Sequence, residues 1–213
     1  TDWDNATSVD AGAVTFGSGS SGISGIVTPA NSLVGSAAGD TIGQYGAAVL
    51  VNDNYVVLSP DWDNGAASNV GAATFGSGSS GISGVVTSAN SLVGSTASDR
   101  VGLRGVTPLS TGNYVVQCPE CDNGAAVDAG AVIFGAASSG ISGVVAPTNS
   151  LVGSSSGDRV GDELYAQANG AYLVKSEQWD DGATMDAGAV TLGPSDGSAT
   201  GAISQAKLPS SFA

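Results

Sequence analysis

Histidine is absent from this 213-residue chain, and its absence removes several classes of function. A Ser-His-Asp or Cys-His catalytic arrangement is impossible without it, and so is a typical catalytic zinc site. Paired carboxylates can act as a glycosidase, but a catalytic pair occurs once in a chain. Here the candidate acids lie in repeated polar turns. The sequence therefore predicts that the protein is not an enzyme.

Cationic side chains and long apolar runs are also scarce. Five Lys and Arg residues stand against nineteen Asp and Glu residues, which gives a formal net charge of −14. Such a surface repels phosphate backbones, so we expect no nucleic-acid partner. No run approaches the roughly 18 consecutive apolar residues of a membrane span, so we expect no membrane insertion. The chain opens at Thr1 and not at Met, which fits a processed or partial protein of the cell surface or extracellular space.

Glycine, by contrast, is abundant, with 33 residues, and much of the remainder is Ala, Ser, Val and Thr. These residues favour short strands joined by tight turns. No segment shows the 3.6-residue apolar period over the length that a helix needs. The composition therefore predicts an all-β protein.

An internal repeat governs the whole chain. Trp3-Asp4-Asn5 returns at residues 62–64, 121–123 and 179–181, with offsets of 59, 59 and 58 residues. The segment Asn31-Ser32-Leu33-Val34-Gly35-Ser36 returns twice, with an offset of 59. We expect one repeat domain over residues 1–213, with a divergent, capping last unit. The predicted units are residues 1–44 (partial), 45–103, 104–162 and 163–213.

Each unit contains four or five short strands. In the best-preserved unit, residues 113–117 have the β-branched and aromatic bias of a strand, and residues 130–135 form a second strand bounded by glycines. Four strands in about 59 residues make one blade of a β-propeller or one double turn of a β-solenoid. We predict four-stranded repeats of about 59 residues that form a β-propeller-like array, with a β-solenoid as the alternative.

Three stretches resemble the FG-GAP repeats of integrin-type β-propellers, as in tandem arrays of large bacterial surface adhesins. They are residues 99–102 (Asp-Arg-Val-Gly), 113–116 (Asn-Tyr-Val-Val) and 130–134 (Gly-Ala-Val-Ile-Phe), with counterparts in the other units. The resemblance implies a propeller, a role in cell adhesion and calcium-binding loops. The FG-GAP calcium loop resembles Asp-x-Asp-x-Asp-Gly, whereas this chain has Asp-Trp-Asp-Asn-Gly at residues 61–65.

Acidic turns recur once per unit and are candidate metal sites. Alternate oxygen ligands on a glycine-containing loop suit Ca²⁺, and the alternative is that Asp, Asn and Gly simply make the turn. The candidate ligands are Asp2, Asp4, Asp61, Asp63, Asn64, Glu120, Asp122, Asp180 and Asp181. A second set, Asp40, Asp99 and Asp158, follows the same logic, but Arg100 and Arg159 are placed to pair with these acids.

Tryptophan recurs beside these turns, at Trp3, Trp62 and Trp179. Exposed indoles stack on sugar rings, which makes these residues candidate ligand contacts. The alternative is that each indole fills the gap between neighbouring units. In the third unit, Cys118 and Cys121 replace Ser59 and Trp62, and in an oxidising compartment we expect a local disulfide between them.

These features predict a non-enzymatic structural and adhesive repeat module of a surface or matrix protein. The alternative is a multivalent carbohydrate-binding lectin of β-propeller type, built on the Trp loops. Calcium is the expected cofactor. The expected partners are other copies of the chain, through self-association or a homo-oligomer, and a glycan.

Overall fold

The computed structural model describes residues 2–205, and this part of the chain is all-β. It contains sixteen short strands and no α-helix. No helix in residues 2–205 is long and apolar enough to cross a membrane. The strands are β1 (Ala13–Thr15), β2 (Ser32–Val34), β3 (Ala47–Val49), β4 (Tyr55–Ser59), β5 (Ala72–Gly76), β6 (Gly84–Val85), β7 (Leu92–Val93), β8 (Val106–Pro108), β9 (Tyr114–Cys118), β10 (Ala131–Gly135), β11 (Gly143–Val144), β12 (Ser150–Val152), β13 (Glu163–Ala166), β14 (Tyr172–Ser176), β15 (Ala189–Gly193) and β16 (Gly201–Ala202).

These strands form four sheets, one for each repeat unit, and the sheets do not close into a barrel. The second and third units have five-stranded sheets, in the orders β11-β7-β5-β4-β3 and β16-β12-β10-β9-β8. Within residues 2–205 the first and fourth sheets have three strands, in the orders β1-β2-β6 and β13-β14-β15. The prediction of an all-β chain built from four repeats is confirmed.

The central strands of the second and third sheets are largely apolar on both faces, because each of these two sheets lies between two others. In β4 the residues Val56, Val57 and Leu58 are all buried, although successive side chains point to opposite faces. Val57 packs towards the first unit, and Val56 and Leu58 pack towards the third. This two-sided burial explains why the strands are short β-branched runs with no polar alternation.

The hydrophobic core is divided into three clusters, and each cluster lies between two neighbouring units. We call these contacts the first, second and third junctions, counted from the N-terminus. The first junction includes Leu33 and Val57, and the second includes Leu92 and Val116. The third junction is the remaining cluster, which lies between the third and fourth units. Because burial occurs between units, no unit has a complete core of its own.

A glycine at the same place in each of the first three units permits a close backbone approach. Gly71 has a φ of 77°, and a Cβ there would lie 2.2 Å from the backbone nitrogen of Val101. Gly12 and Gly130 make the same approach to Ile42 and Val160. Only glycine fits this position, which explains the recurrence of glycine at the start of the second predicted strand.

Candidate functional site at the junctions between units

Each unit after the first donates a short strand to the sheet of the unit before it. β6 pairs in parallel with β2, β11 with β7, and β16 with β12. In these pairs a buried apolar residue donates its backbone N–H across the junction. The bonds are Val86 N to Val34 O at 3.1 Å, Val145 N to Val93 O at 2.9 Å and Ile203 N to Val152 O at 2.9 Å.

A buried aspartate carboxylate joins the two units at each junction. At the second junction Asp99 is 1% exposed, and its Oδ2 accepts the backbone N–H groups of Ser95 and Thr96 at 2.6 and 3.0 Å. Its Oδ1 accepts the N–H of Asp122, in the next unit, at 3.0 Å. Asp40 and Asp158 repeat this arrangement with Asp63 and Asp180 at 2.9 and 3.0 Å. These carboxylates therefore hold a turn of one unit to a loop of the next.

Aromatic rings stack across the first two junctions. The ring centroids of Phe75 and Tyr114 are 6.2 Å apart, and the ring planes differ by 4°. The rings of Phe16 and Tyr55 stack in the same way, with a centroid distance of 6.1 Å and an angle of 8° between the planes. The Tyr114 ring lies over Gly135, where a Cβ would come within 2.1 Å of the ring. The Tyr114 hydroxyl accepts the N–H of Ile141 at 3.2 Å. Burial raises the pKa of Tyr114 to about 12 and outweighs the opposing effect of this hydrogen bond.

Two of the three predicted indole contacts are inside the protein. Trp62 and Trp179 are 3% and 4% exposed and belong to the core clusters of the first and third junctions. Trp3 is half-buried. Trp62 and Trp179 therefore follow the alternative interpretation, in which each indole fills the gap between neighbouring units. This packing leaves neither ring face open to a sugar, so a glycan site at these two residues has no structural support.

The two cysteines occupy the corresponding place at the second junction. Cys118 and Cys121 form a disulfide, with both residues almost fully buried in the core cluster between the second and third units. The disulfide predicted from the Cys-Pro-Glu-Cys spacing is therefore present. It fills the space that an indole fills at the other two junctions.

The repeated acidic turns use their carboxylates to fix the loop backbone. The Oδ1 atom of the loop aspartate accepts the backbone N–H of the residue six positions later, in all four units. The bonds are Asp4 to Asp10 N at 2.9 Å, Asp63 to Asn69 N at 2.7 Å, Asp122 to Asp128 N at 2.9 Å and Asp180 to Asp186 N at 2.9 Å. This role accounts for the recurrence of aspartate by turn chemistry.

The remaining candidate metal ligands are spread over different contacts. Asp61 forms an ion pair with Arg100 at 2.8 Å, Asp181 accepts Gln205 Nε2 at 2.5 Å, and Glu120 is half-buried. Asn64 pairs with Ala67 through its backbone, and Asp2 is exposed. In residues 2–205 no three Asp, Glu, His or Cys side chains are grouped closely enough to hold a metal ion. Calcium binding therefore stays a prediction of the sequence.

Sequence reasoning missed two sets of residues that hold the units together. The first is the buried aspartate set, which the sequence suggests as metal ligands or partners of Arg100 and Arg159. These arginines pair with Asp61 and Asp162 instead, and the buried aspartates hold neighbouring units together. The second is the asparagine before each Tyr-Val-Val strand. Asn54 accepts Gly78 N at 2.9 Å within its unit and donates to Ala137 O at 2.8 Å in the next. The repeated Asn-Tyr pair is the sequence signal for this contact. From the sequence alone, its asparagine is predicted only as part of the strand.

Comparison with known proteins agrees with the repeat seen in the sheets. A search of curated proteins finds no match. The sequence model of one family, described as a repeat of unknown function (DUF5650), matches residues 1–44, 49–103, 108–162 and 166–207. This match supports a repeat protein and gives no support for FG-GAP identity. Because the four matched segments cover most of its length, the chain belongs to this family of repeats.

Proposed function

We propose that this chain is a non-enzymatic structural and adhesive module of an extracellular or cell-surface protein. The observation that carries the proposal is that all three junctions are made by the same contacts. Each has a donated strand, a buried aspartate and an apolar cluster shared by two units. Such junctions make a stiff repeat array, in which length and repeated surface supply the function.

The extracellular part of the proposal is supported by the disulfide and the charge. A buried disulfide between Cys118 and Cys121 suits an oxidising compartment. The net charge of −14 keeps a glycine-rich β protein soluble and separate from its neighbours. A propeller ring and kinship with FG-GAP repeats belong to the same proposal, and they rest on the sequence stretches at residues 99–102, 113–116 and 130–134.

Unfolding of the chain tests the proposal, because a stiff array unfolds as one body. Trp62 and Trp179 report on the first and third junctions, so the double variants Trp3→Phe with Trp179→Phe and Trp3→Phe with Trp62→Phe isolate the two signals. We expect the two fluorescence transitions in urea to have the same midpoint. Two separate midpoints would show independently folding modules and contradict the proposal.

Calcium binding by the acidic turns is proposed with the same module and has its own test. A calcium site in the turns raises the melting temperature by several degrees in millimolar Ca²⁺ relative to EDTA. The Oδ1 atoms of the four loop aspartates already accept backbone N–H groups, so coincident melts would show that these turns need no ion and would contradict calcium binding. A rise of several degrees would establish calcium as a structural cofactor.

Glycan binding is the second candidate function, and one cleft favours it. An open polar cleft of about 530 Å³ is lined by residues of the third and fourth units, including Arg104, Gln117 and Asp162. Polar side chains of this kind hydrogen-bond sugar hydroxyls. Saturation-transfer NMR with neutral oligosaccharides tests it, and we expect the signal to disappear in Arg104→Ala. A signal that persists in this variant, or none with the unmodified chain, contradicts a glycan site in the cleft.

A further inference from the structure

One donated-strand segment in the described chain has no sheet to join. Residues 25–27 correspond to β6, β11 and β16 by the repeat, yet they belong to no strand in residues 2–205. Val27 is half-buried, whereas its counterparts Val86, Val145 and Ile203 are 1%, 5% and 3% exposed. The neighbouring Ile26 is 85% exposed. The segment is therefore an apolar strand that lacks its partner.

The backbone of this segment already has the paired conformation. Gly25 has a φ of 110°; at the same position in the paired strands Gly84 and Gly143 have a φ of 109°, and Gly201 has a φ of 83°. Little reorganisation is needed to add a parallel strand beside it, and this lowers the conformational cost of binding.

Other groups on the same face also lack the contacts that their counterparts make. The N–H groups of Asp63, Asp122 and Asp180 each donate to a buried aspartate of the preceding unit. In residues 2–205 the N–H of Asp4 has no such acceptor. Trp3 is half-buried where Trp62 and Trp179 are buried. Ile23 is 51% exposed, whereas its counterparts Ile82 and Ile141 pack against the core clusters. We call Trp3, Asp4, Ile23 and residues 25–27 the open face.

We propose that the open face binds another repeat of the same family, through the contacts that form the three internal junctions. The binding repeat must present a Leu-Val strand followed by a turn and a buried aspartate, as residues 31–40 do. Its Leu-Val strand pairs with residues 25–27, and its aspartate accepts the N–H of Asp4. This inference rests on the proposed function, because it extends the same stacking by one unit.

The fourth unit of a second copy is a poor occupant, because the outward face of its sheet is charged. In the second unit, the face that packs against the third unit carries Val56 and Leu58. In the fourth unit, Lys175 takes the place of Leu58 on the corresponding face. Lys175 pairs with Glu163 at 3.4 Å and with Glu177 at 2.5 Å. Burying this network costs desolvation energy that an apolar face does not require. A repeat with an apolar face is therefore the partner that fits.

A tandem duplication tests the proposal with the full chain retained. A copy of residues 1–59 is placed before Thr1, which sets an intact Leu-Val strand and aspartate in register with the open face. We expect the exchange of the Val27 amide hydrogen to slow by about 100-fold or more, towards that of Val86. With the Trp of the added copy replaced by Phe, we also expect the tryptophan emission to shift to the blue as the Trp3 indole is buried.

The matched control is the same duplication with Val27→Lys in the original unit. In this control the emission of Trp3 should stay as it is in the unmodified chain. If Val27 exchanges equally fast with and without the added copy, the proposal is wrong. If Val27 becomes protected in the unduplicated chain as its concentration rises, a second copy is the occupant and the choice of partner is wrong. The Val86 and Val145 amides report separately on the internal junctions, so fast exchange there would contradict the proposed stacking itself.

Discussion

Replacing Asp99 by alanine should weaken the second junction more than any surface change of equal charge. Asp99 is 1% exposed and accepts three backbone N–H groups, from Ser95, Thr96 and Asp122. It also accepts the hydroxyls of Ser95 and Thr96, at 3.1 and 2.8 Å. The bond from Asp122 is the one that crosses between units.

The magnitude follows from the donors left without an acceptor. A buried donor that loses its partner costs about 1–3 kcal/mol. Ser95 is exposed and Thr96 half-buried, so water replaces part of what their N–H groups lose. Taking the low end for these two and the high end for Asp122, Asp99→Ala should lower the free energy of unfolding by about 5 kcal/mol.

Urea denaturation followed by tryptophan fluorescence measures this loss. The control is Asp162→Ala, which removes the same charge but only half-exposed ion pairs with Arg104 and Arg159 at 3.6 and 3.4 Å. Such pairs contribute about 0–1 kcal/mol. If Asp99→Ala is no more destabilising than Asp162→Ala, the buried aspartates do not hold the units together and the reasoning is refuted.

Three further predictions concern the tyrosines, a glycine and the disulfide. Burial raises the pKa of Tyr114 and Tyr172 to about 12, so their folded forms keep the proton while the unfolded chain loses it above its ordinary pKa of 10. Stability is therefore unchanged below pH 10 and falls between pH 10 and 12, by about 1.4 kcal/mol per tyrosine at pH 11. Urea denaturation at pH 9 and 11 measures this fall, which Tyr114→Phe should reduce by about 1.4 kcal/mol; an equal fall in that variant contradicts the assignment. Gly135→Ala places a Cβ 2.1 Å from the Tyr114 ring and should lower the free energy of unfolding in urea by about 1–3 kcal/mol, whereas Gly19→Ala meets nothing within 4 Å. Equal effects of the two substitutions would show that the ring does not need this space. Reducing the Cys118–Cys121 disulfide should lower the stability measured by the same assay by about 2 kcal/mol. The double variant Cys118→Ser with Cys121→Trp, which restores the residues of the other units, should not respond to the reductant.

The repeat and the strands were predictable because they depend on local sequence. The 59-residue offset is read from the sequence by comparing its segments, and the glycine-bounded strands and the Cys-Pro-Glu-Cys disulfide follow from residues close together in the chain. The donated strands were not predictable. A two-residue strand such as Gly84–Val85 has the same pattern in every unit, and nothing in that pattern says which sheet it joins.

The candidate site was predicted less well, because its chemistry depends on burial. Asp99 and Asp122 are both acidic residues beside turns in the sequence, yet Asp99 is buried at a junction and Asp122 fixes a loop. Trp62 is next to two aspartates in the chain, which suggests exposure, but its ring is 3% exposed. Only the packing of one unit on the next separates these roles, and that packing involves residues tens of positions apart.

The donated strands also set the order in which the protein can be completed during synthesis. The strand β7 of the second unit receives β11, so Val93 gains its partner Val144 about fifty residues later in the chain. A ribosome makes the earlier unit first, and its sheet edge stays open until the next unit emerges. At any moment only the newest unit has a Leu-Val strand that still lacks its donated partner, which limits the surface available for pairing with other chains. Growth of the array therefore proceeds in one direction, with each new unit closing the one before it.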